Sequence, residues 1–146
     1  MYTIGEISNK FNLSISAIRY YDKEGLFPNI DRKNGIRQFS DGDVESILMI
    51  ECLKKSGMQI KEIKQFLDWC KQGDSTLQKR YNMFVEQKEK VLSQIEELQK
   101  ALNLIDYKCW YYQEAIKQGT DKNIKHIDIS AMPDQIQNLY RKIHNI

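Results

Sequence analysis

From Leu77 to Ile116, side chains that are almost all apolar recur at alternating steps of four and three residues. The positions are Leu77, Tyr81, Phe84, Lys88, Val91, Ile95, Leu98, Leu102, Ile105, Cys109, Tyr112 and Ile116, and only Lys88 is charged. A period of 3.5 residues draws one stripe along an α-helix, and that stripe must be covered by another helix. At ~1.5 Å per residue the helix runs about 60 Å, longer than a small folded head can cover. The pattern therefore predicts homodimerisation through this helix, with Lys88 as a polar core residue that fixes register. An intramolecular hairpin would also cover the stripe, but no turn signal interrupts it before Gly119.

The residues before the repeat predict two short capped helices and a hairpin. Thr3 and Glu6 have the spacing of a capping box, and Ile4, Ile7 and Phe11 follow on one face. After a corner at Asn12-Leu13, Ser14 suits the N-cap of a second helix, which Gly25 ends. Ile18 and Tyr21 point to a core. Ser16, Arg19, Tyr20 and Lys23 share the opposite face and carry the donors that reach phosphates and base edges. Asn34-Gly35 between strand-forming residues signals a hairpin, crowded by Arg32, Lys33 and Arg37. Ser40-Asp41 begins a third helix with Val44, Leu48 and Cys52 on one face and Ile47 beside them. Gly57 breaks the chain, and a fourth helix starts near Gln59 with Ile60, Ile63, Leu67 and Cys70 as its apolar row. Lys61 and Lys64 near its start suit either phosphate contact or ordinary solvation.

Together these residues resemble the head of the MerR family of bacterial transcription regulators. The resemblance rests on Arg19-Tyr20-Tyr21-Asp22, Gly25-Leu26, Gly35-x-Arg37, Asp43 and Gly57-x-x-Ile60-x-Glu62-Ile63. It covers roughly Tyr2 to Lys71 closely and the long helix by architecture. It implies a mainly α fold: a winged helix-turn-helix head over residues 1–74, an antiparallel coiled-coil dimerisation helix over 75–118, and a tail with a short helix over 119–146. It also implies that Arg19 and Tyr20 contact DNA from a recognition helix and Arg37 from the wing. The full expected contact set is Thr3, Ser14, Ser16, Ala17, Arg19, Tyr20, Lys23, Arg32, Lys33, Arg37 and Lys61. By the same resemblance, the dimer binds promoter DNA at a pseudo-palindromic operator between the elements read by RNA polymerase, and realigns them by distorting the duplex. The chain departs from the family pattern at three places. Its wing reads Gly35-Ile36-Arg37-Gln38-Phe39 where Gly-Tyr-Arg-x-Tyr is usual, Ala17 replaces a common Thr, and Gln59 replaces Ser or Thr.

Overall charge does not carry the nucleic-acid reading. Residues 1–75 contain 11 Lys and Arg and 11 Asp and Glu, so the head is formally neutral. Phosphate contact depends instead on where the cations stand. No apolar run approaches the ~18 residues of a membrane span. No signal-peptide pattern precedes the first helix, and three cysteines without paired spacing suit a reducing compartment, so the expected location is cytoplasmic.

The signal such a regulator senses is open in the sequence. Soft-metal sensing finds no support, since the loop from Gly119 to Lys125 has no cysteine and no Cys-x-x-Cys occurs. The residues after Ile116 are too few for a large drug-binding domain. Tyr107, Trp110, Tyr111 and Tyr112 either line an effector pocket for an aromatic or cationic molecule or pack the partner's head. The stretch Ile50 to Gly57, with Gly73-Asp74-x-Thr76 and Arg80, resembles the family's aldehyde- and thiol-responsive branch. This marks Cys52 as the candidate sensor, with Lys55 three residues on. The competing reading is a buried, inert thiol packed with Val44 and Leu48. Cys70 and Cys109 read as packing residues. The tail predicts a helix over about Pro133 to Ile143, docked on the dimer or the other head. No nucleophile–base pair, phosphate loop, metal site or cofactor motif is present, which argues against an enzyme. A coiled-coil scaffold without DNA binding is the rival class, and it has no need of cations placed on a helix and a wing.

Overall fold

The computed structural model describes residues 1–146, which form two compact units, Met1–Lys88 and Glu89–Ile146. In the first, helix α1 (Ile4–Phe11) opens with the capping box, the Thr3 hydroxyl accepting from the Glu6 amide and the Glu6 carboxylate accepting from the Thr3 amide. Asn12 closes α1 in the left-handed conformation. Helix α2 (Ile15–Lys23) is capped by Ser14, and Gly25 takes a φ of 81° just beyond its end. Strands β1 (Asp31–Lys33) and β2 (Ile36–Gln38) pair antiparallel with Lys33 opposite Ile36. Both connecting residues, Asn34 and Gly35, have positive φ, the type I′ geometry that matches strand twist. Tyr2 and Phe39 exchange backbone hydrogen bonds of 2.7 and 2.8 Å, which pins the N-terminus to the end of the wing.

Helix α3 (Asp41–Lys55) starts at a Ser40–Asp43 capping box and stops at Ser56, with Gly57 at φ 95°. Helix α4 (Ile60–Gln72) follows. The Gln59 side chain makes no capping bond, and only Glu62 reaches back to the Gln59 amide. A single 3₁₀ turn, Asp74–Thr76, leads into helix α5 (Leu77–Gln118). The Thr76 hydroxyl meets the carbonyls of Trp69 and Gly73, and the Arg80 guanidinium also donates to Gly73. These contacts satisfy carbonyls at the end of α4, which gives the Gly73-Asp74-x-Thr76…Arg80 run a local structural task.

Tyr21, Phe39, Ile7, Ile18, Leu26, Ile47, Ile50 and Ile63 are fully buried and make the centre of the first unit. Phe27 meets Phe39 edge-on at 5.7 Å, and Phe66 of α4 meets Phe84 of α5 edge-on at 5.2 Å. The Gln87 amide, buried on α5, donates to the carbonyl and hydroxyl of Ser56 at 2.7 and 2.9 Å. The compact unit thus continues into the first turns of α5.

Two apolar faces differ from the sequence expectation. On α3 the buried residues are Ile47, Ile50 and Leu53, whereas Leu48 is 56% exposed and Cys52 is exposed. Apolar residues surround most of this helix, so periodicity alone does not choose a face. Packing against Tyr21 and α4 chooses it. On α4 the core residues are Ile63 and Phe66, Leu67 is half-buried, and Cys70 is exposed.

In the second unit α5 ends at Gly119, where φ is 72°. Helix α6 (Lys122–Lys125), a 3₁₀ turn (Ile129–Ala131) and helix α7 (Asp134–His144) follow. Tyr111, Ala115, Ile124 and Met132 are buried, and Tyr107 packs on Tyr140 at 5.6 Å between ring centroids. The tail helix, expected on the dimer or the other head, docks on α5 of its own chain. Tyr107, Tyr111 and Ala115 recur four residues apart on a face of α5 outside the heptad stripe, and the tail covers that face. No helix is long and apolar enough to cross a membrane.

Candidate nucleic-acid interface

Helix α2 presents the expected recognition face. Ser16, Arg19, Tyr20 and Lys23 are all exposed, while Ile18 and Tyr21 on the other side are buried. Arg19 and Lys23 have no ion-pair partner, so their charges are available to an external anion. Two of the expected contacts are committed within the chain. The Thr3 hydroxyl accepts from the Glu6 amide and donates to its carboxylate, and the Ser14 oxygen accepts from the Ala17 amide. Ala17 is half-buried. The capping contacts hold Glu6 below the usual carboxylate range, through its bond from the Thr3 backbone first and the Thr3 hydroxyl second.

The wing is tied to this helix by Asp22. One oxygen of the Asp22 carboxylate accepts from Arg37 Nε at 2.6 Å and from the Arg32 guanidinium at 3.0 Å. The Asp22 side chain is only 12% exposed, Arg37 24% and Arg32 47%. Each bond is charge-assisted, and after solvent screening each contributes on the order of 1 kcal/mol. Arg37 therefore has a double capacity. Its Nε holds the wing to α2, and its terminal nitrogens remain for phosphate. In the sequence Asp22 stands in the Arg19-Tyr20-Tyr21-Asp22 run with no visible role, because its partners lie 10 and 15 residues away on another element. Lys33 is exposed beside the Asn34-Gly35 turn. Ile36 at the wing is 58% exposed, whereas Phe39 is fully buried, so the absent hydroxyl at Phe39 is a change in the core.

Beneath α2, the Tyr21 hydroxyl donates to Glu51 of α3 at 2.6 Å and accepts from Lys54, whose ammonium lies 4.9 Å from the ring centre. Burial, and then the Glu51 carboxylate, push the Tyr21 phenol up. Lys54 and Lys61 also line a groove of about 680 Å³ with Tyr20, Glu24 and Lys64, at the N-terminus of α4. The fold thus brings Lys61 next to Tyr20 of the recognition face. Cys52 and Lys55 are both exposed on α3.

A capped helix pair with a free cationic face, locked to a basic hairpin by a shared carboxylate, defines a winged helix-turn-helix protein. Residues 2–69 match the family model described as MerR HTH family regulatory protein. A Haemophilus influenzae protein named as an uncharacterized HTH-type transcriptional regulator is 37% identical over 91% of this chain and 97% of its own length. The chain belongs to the MerR family. Among solved structures, it resembles HiNmlR, described as a MerR family regulator lacking the sensor domain, bound to promoter DNA. That similarity has a TM-score of 0.76 and 39% identity, over 83% of this chain and 97% of that one. A MerR family transcriptional regulator from Bacillus thuringiensis gives a TM-score of 0.68 and 44% identity, over 74% and 96%.

Proposed function

We propose that the protein is a homodimeric transcription regulator that binds a pseudo-palindromic promoter operator through α2 and the wing, and distorts the duplex to control RNA polymerase. The observation that carries this reading is the unpaired, exposed set Arg19, Tyr20 and Lys23 beside a wing clamped by Asp22. The solved relative bound to promoter DNA, similar over most of both chains, adds support. Dimerisation is favoured by the heptad stripe, since Leu98 is 70% and Ile116 81% exposed in a single chain. Exposed apolar surface of this extent along one helix is unfavourable in water and is relieved by pairing. Ser16, Lys23, Lys33 and Lys61 supply backbone contacts, and Arg19 and Tyr20 reach base edges.

The test is a gel shift with the chain's own promoter region across a salt series. Specific binding should weaken steeply with salt, and Arg19→Ala should abolish the preference for the operator over random duplex. Binding that is absent or indifferent to salt would instead identify a coiled-coil scaffold.

A second reading concerns the signal. Exposure of Cys52 favours a response to aldehydes or other electrophiles, because an accessible thiol is open to attack on them. Cys52→Ser should abolish electrophile-dependent transcription from the promoter while leaving operator binding unchanged. Retained induction in that variant would remove Cys52 from the mechanism.

A further inference from the structure

The second unit contains a pocket of about 380 Å³ between α5, α6 and α7, near the lower end of the ~300–1,000 Å³ usual for small-molecule sites. It is built from α5 and the tail of one chain. Its walls include the rings of Tyr107, Tyr111, Tyr140 and His144, with Tyr140 and His144 centred 4.2 Å apart. Two ammonium groups, Lys108 and Lys125, also line it. Lys125 is partly neutralised by Asp121 at 3.6 Å, and Asp121 also accepts from the Tyr111 hydroxyl at 3.0 Å. Lys108 has no carboxylate partner. Its ammonium stands over aromatic faces, 4.8 Å from the Tyr111 centre and 6.0 Å from that of Tyr107. The hydroxyls of Tyr107 and Tyr140 make no hydrogen bond within the chain, and burial pushes the Tyr107 phenol up.

We propose that this pocket binds a small planar aromatic carboxylate, its ring stacked among the tyrosines and its carboxylate held by Lys108. The uncompensated cation selects an anion, the flat walls select a planar ring, and the size excludes bulky ligands. An aromatic cation would be repelled by Lys108 and Lys125. Action as an effector rests on the regulator reading above, whereas binding itself does not.

The two are separated by measuring binding without DNA. Benzoate is titrated into the full-length protein by calorimetry, with benzylamine as the cationic counterpart. Saturable benzoate binding and no benzylamine binding are expected. Lys108→Gln should weaken benzoate about tenfold or more, and Lys108→Arg should retain it, since one charge-assisted hydrogen bond is at stake. Lys108 is exposed, so both variants should keep the parent's thermal unfolding profile. Tyr140→Phe, which removes one hydroxyl and no packing, should also weaken binding. The proposal is overturned if benzoate shows no saturable binding up to about 10 mM, if Lys108→Gln binds it as well as the parent, or if benzylamine binds equally. Failure of the operator gel shift would overturn the regulator reading and leave the pocket standing.

Discussion

At the candidate interface one carboxylate, Asp22, joins two elements. It gathers Arg32 and Arg37 onto one carboxylate oxygen, and so holds the wing against α2. Asp22→Asn keeps the shape but weakens both bonds, so operator affinity should fall about tenfold with little change in helix content by circular dichroism. An unchanged affinity would show that the wing needs no tie. Glu6 carries a pH prediction. Its folded pKa is lowered from 4.5 by the capping contacts, so folding binds fewer protons than the unfolded chain near that pH. The capping contribution is therefore complete above the unfolded value and is lost as pH falls below it. In denaturant titrations Glu6→Gln should flatten the acid limb of stability and leave no difference in slope above pH about 6.

At the scale of elements, local rules were enough for most boundaries. Caps at Thr3, Ser14 and Ser40, the Asn34-Gly35 turn, and the glycines at 25, 57 and 119 stand where the sequence placed them, because each depends on a few neighbouring residues. Faces were harder. The Val44–Leu48–Cys52 row was plausible from spacing, yet Ile47, Ile50 and Leu53 form the buried side. The choice depends on Tyr21, Glu51 and Lys54 meeting across elements, with separations of 30 and 33 residues. The junction of α5 with the head offers a test. Gln87→Ala leaves the Ser56 hydroxyl and carbonyl without their buried donor, and should cost about 1–3 kcal/mol in denaturant unfolding. A cost near zero would mean that water replaces the amide without loss.

For the whole molecule, the main expectation is a dimer. Leu98→Glu and Ile105→Glu place charges on the exposed stripe of α5, at 70% and 57% exposure, so neither disturbs the packing within one chain. Sedimentation should give a dimer for the parent and a monomer for the double variant, since like charges oppose each other across a paired stripe. A parent that sediments as a monomer at all concentrations would refute pairing. The same double variant should lose most of its operator affinity while each head remains folded, because two linked heads bind far more tightly than one.

The sequence by itself determined the longer elements and the family, and its heptad period is what proposes a partner helix, since caps, turn residues and heptads act over a few residues and can be read in order. It also located the cationic face of α2, which follows from helical spacing alone. Tertiary structure decided the features that join distant residues. These are the Asp22 tie between helix and wing, the exposure of Cys52, the burial of Phe39, and the fold-back of the tail that builds a pocket from Tyr107, Lys108 and Tyr140. Each depends on which of several apolar or charged faces finds a neighbour, and the chain settles that only when all its elements pack at once.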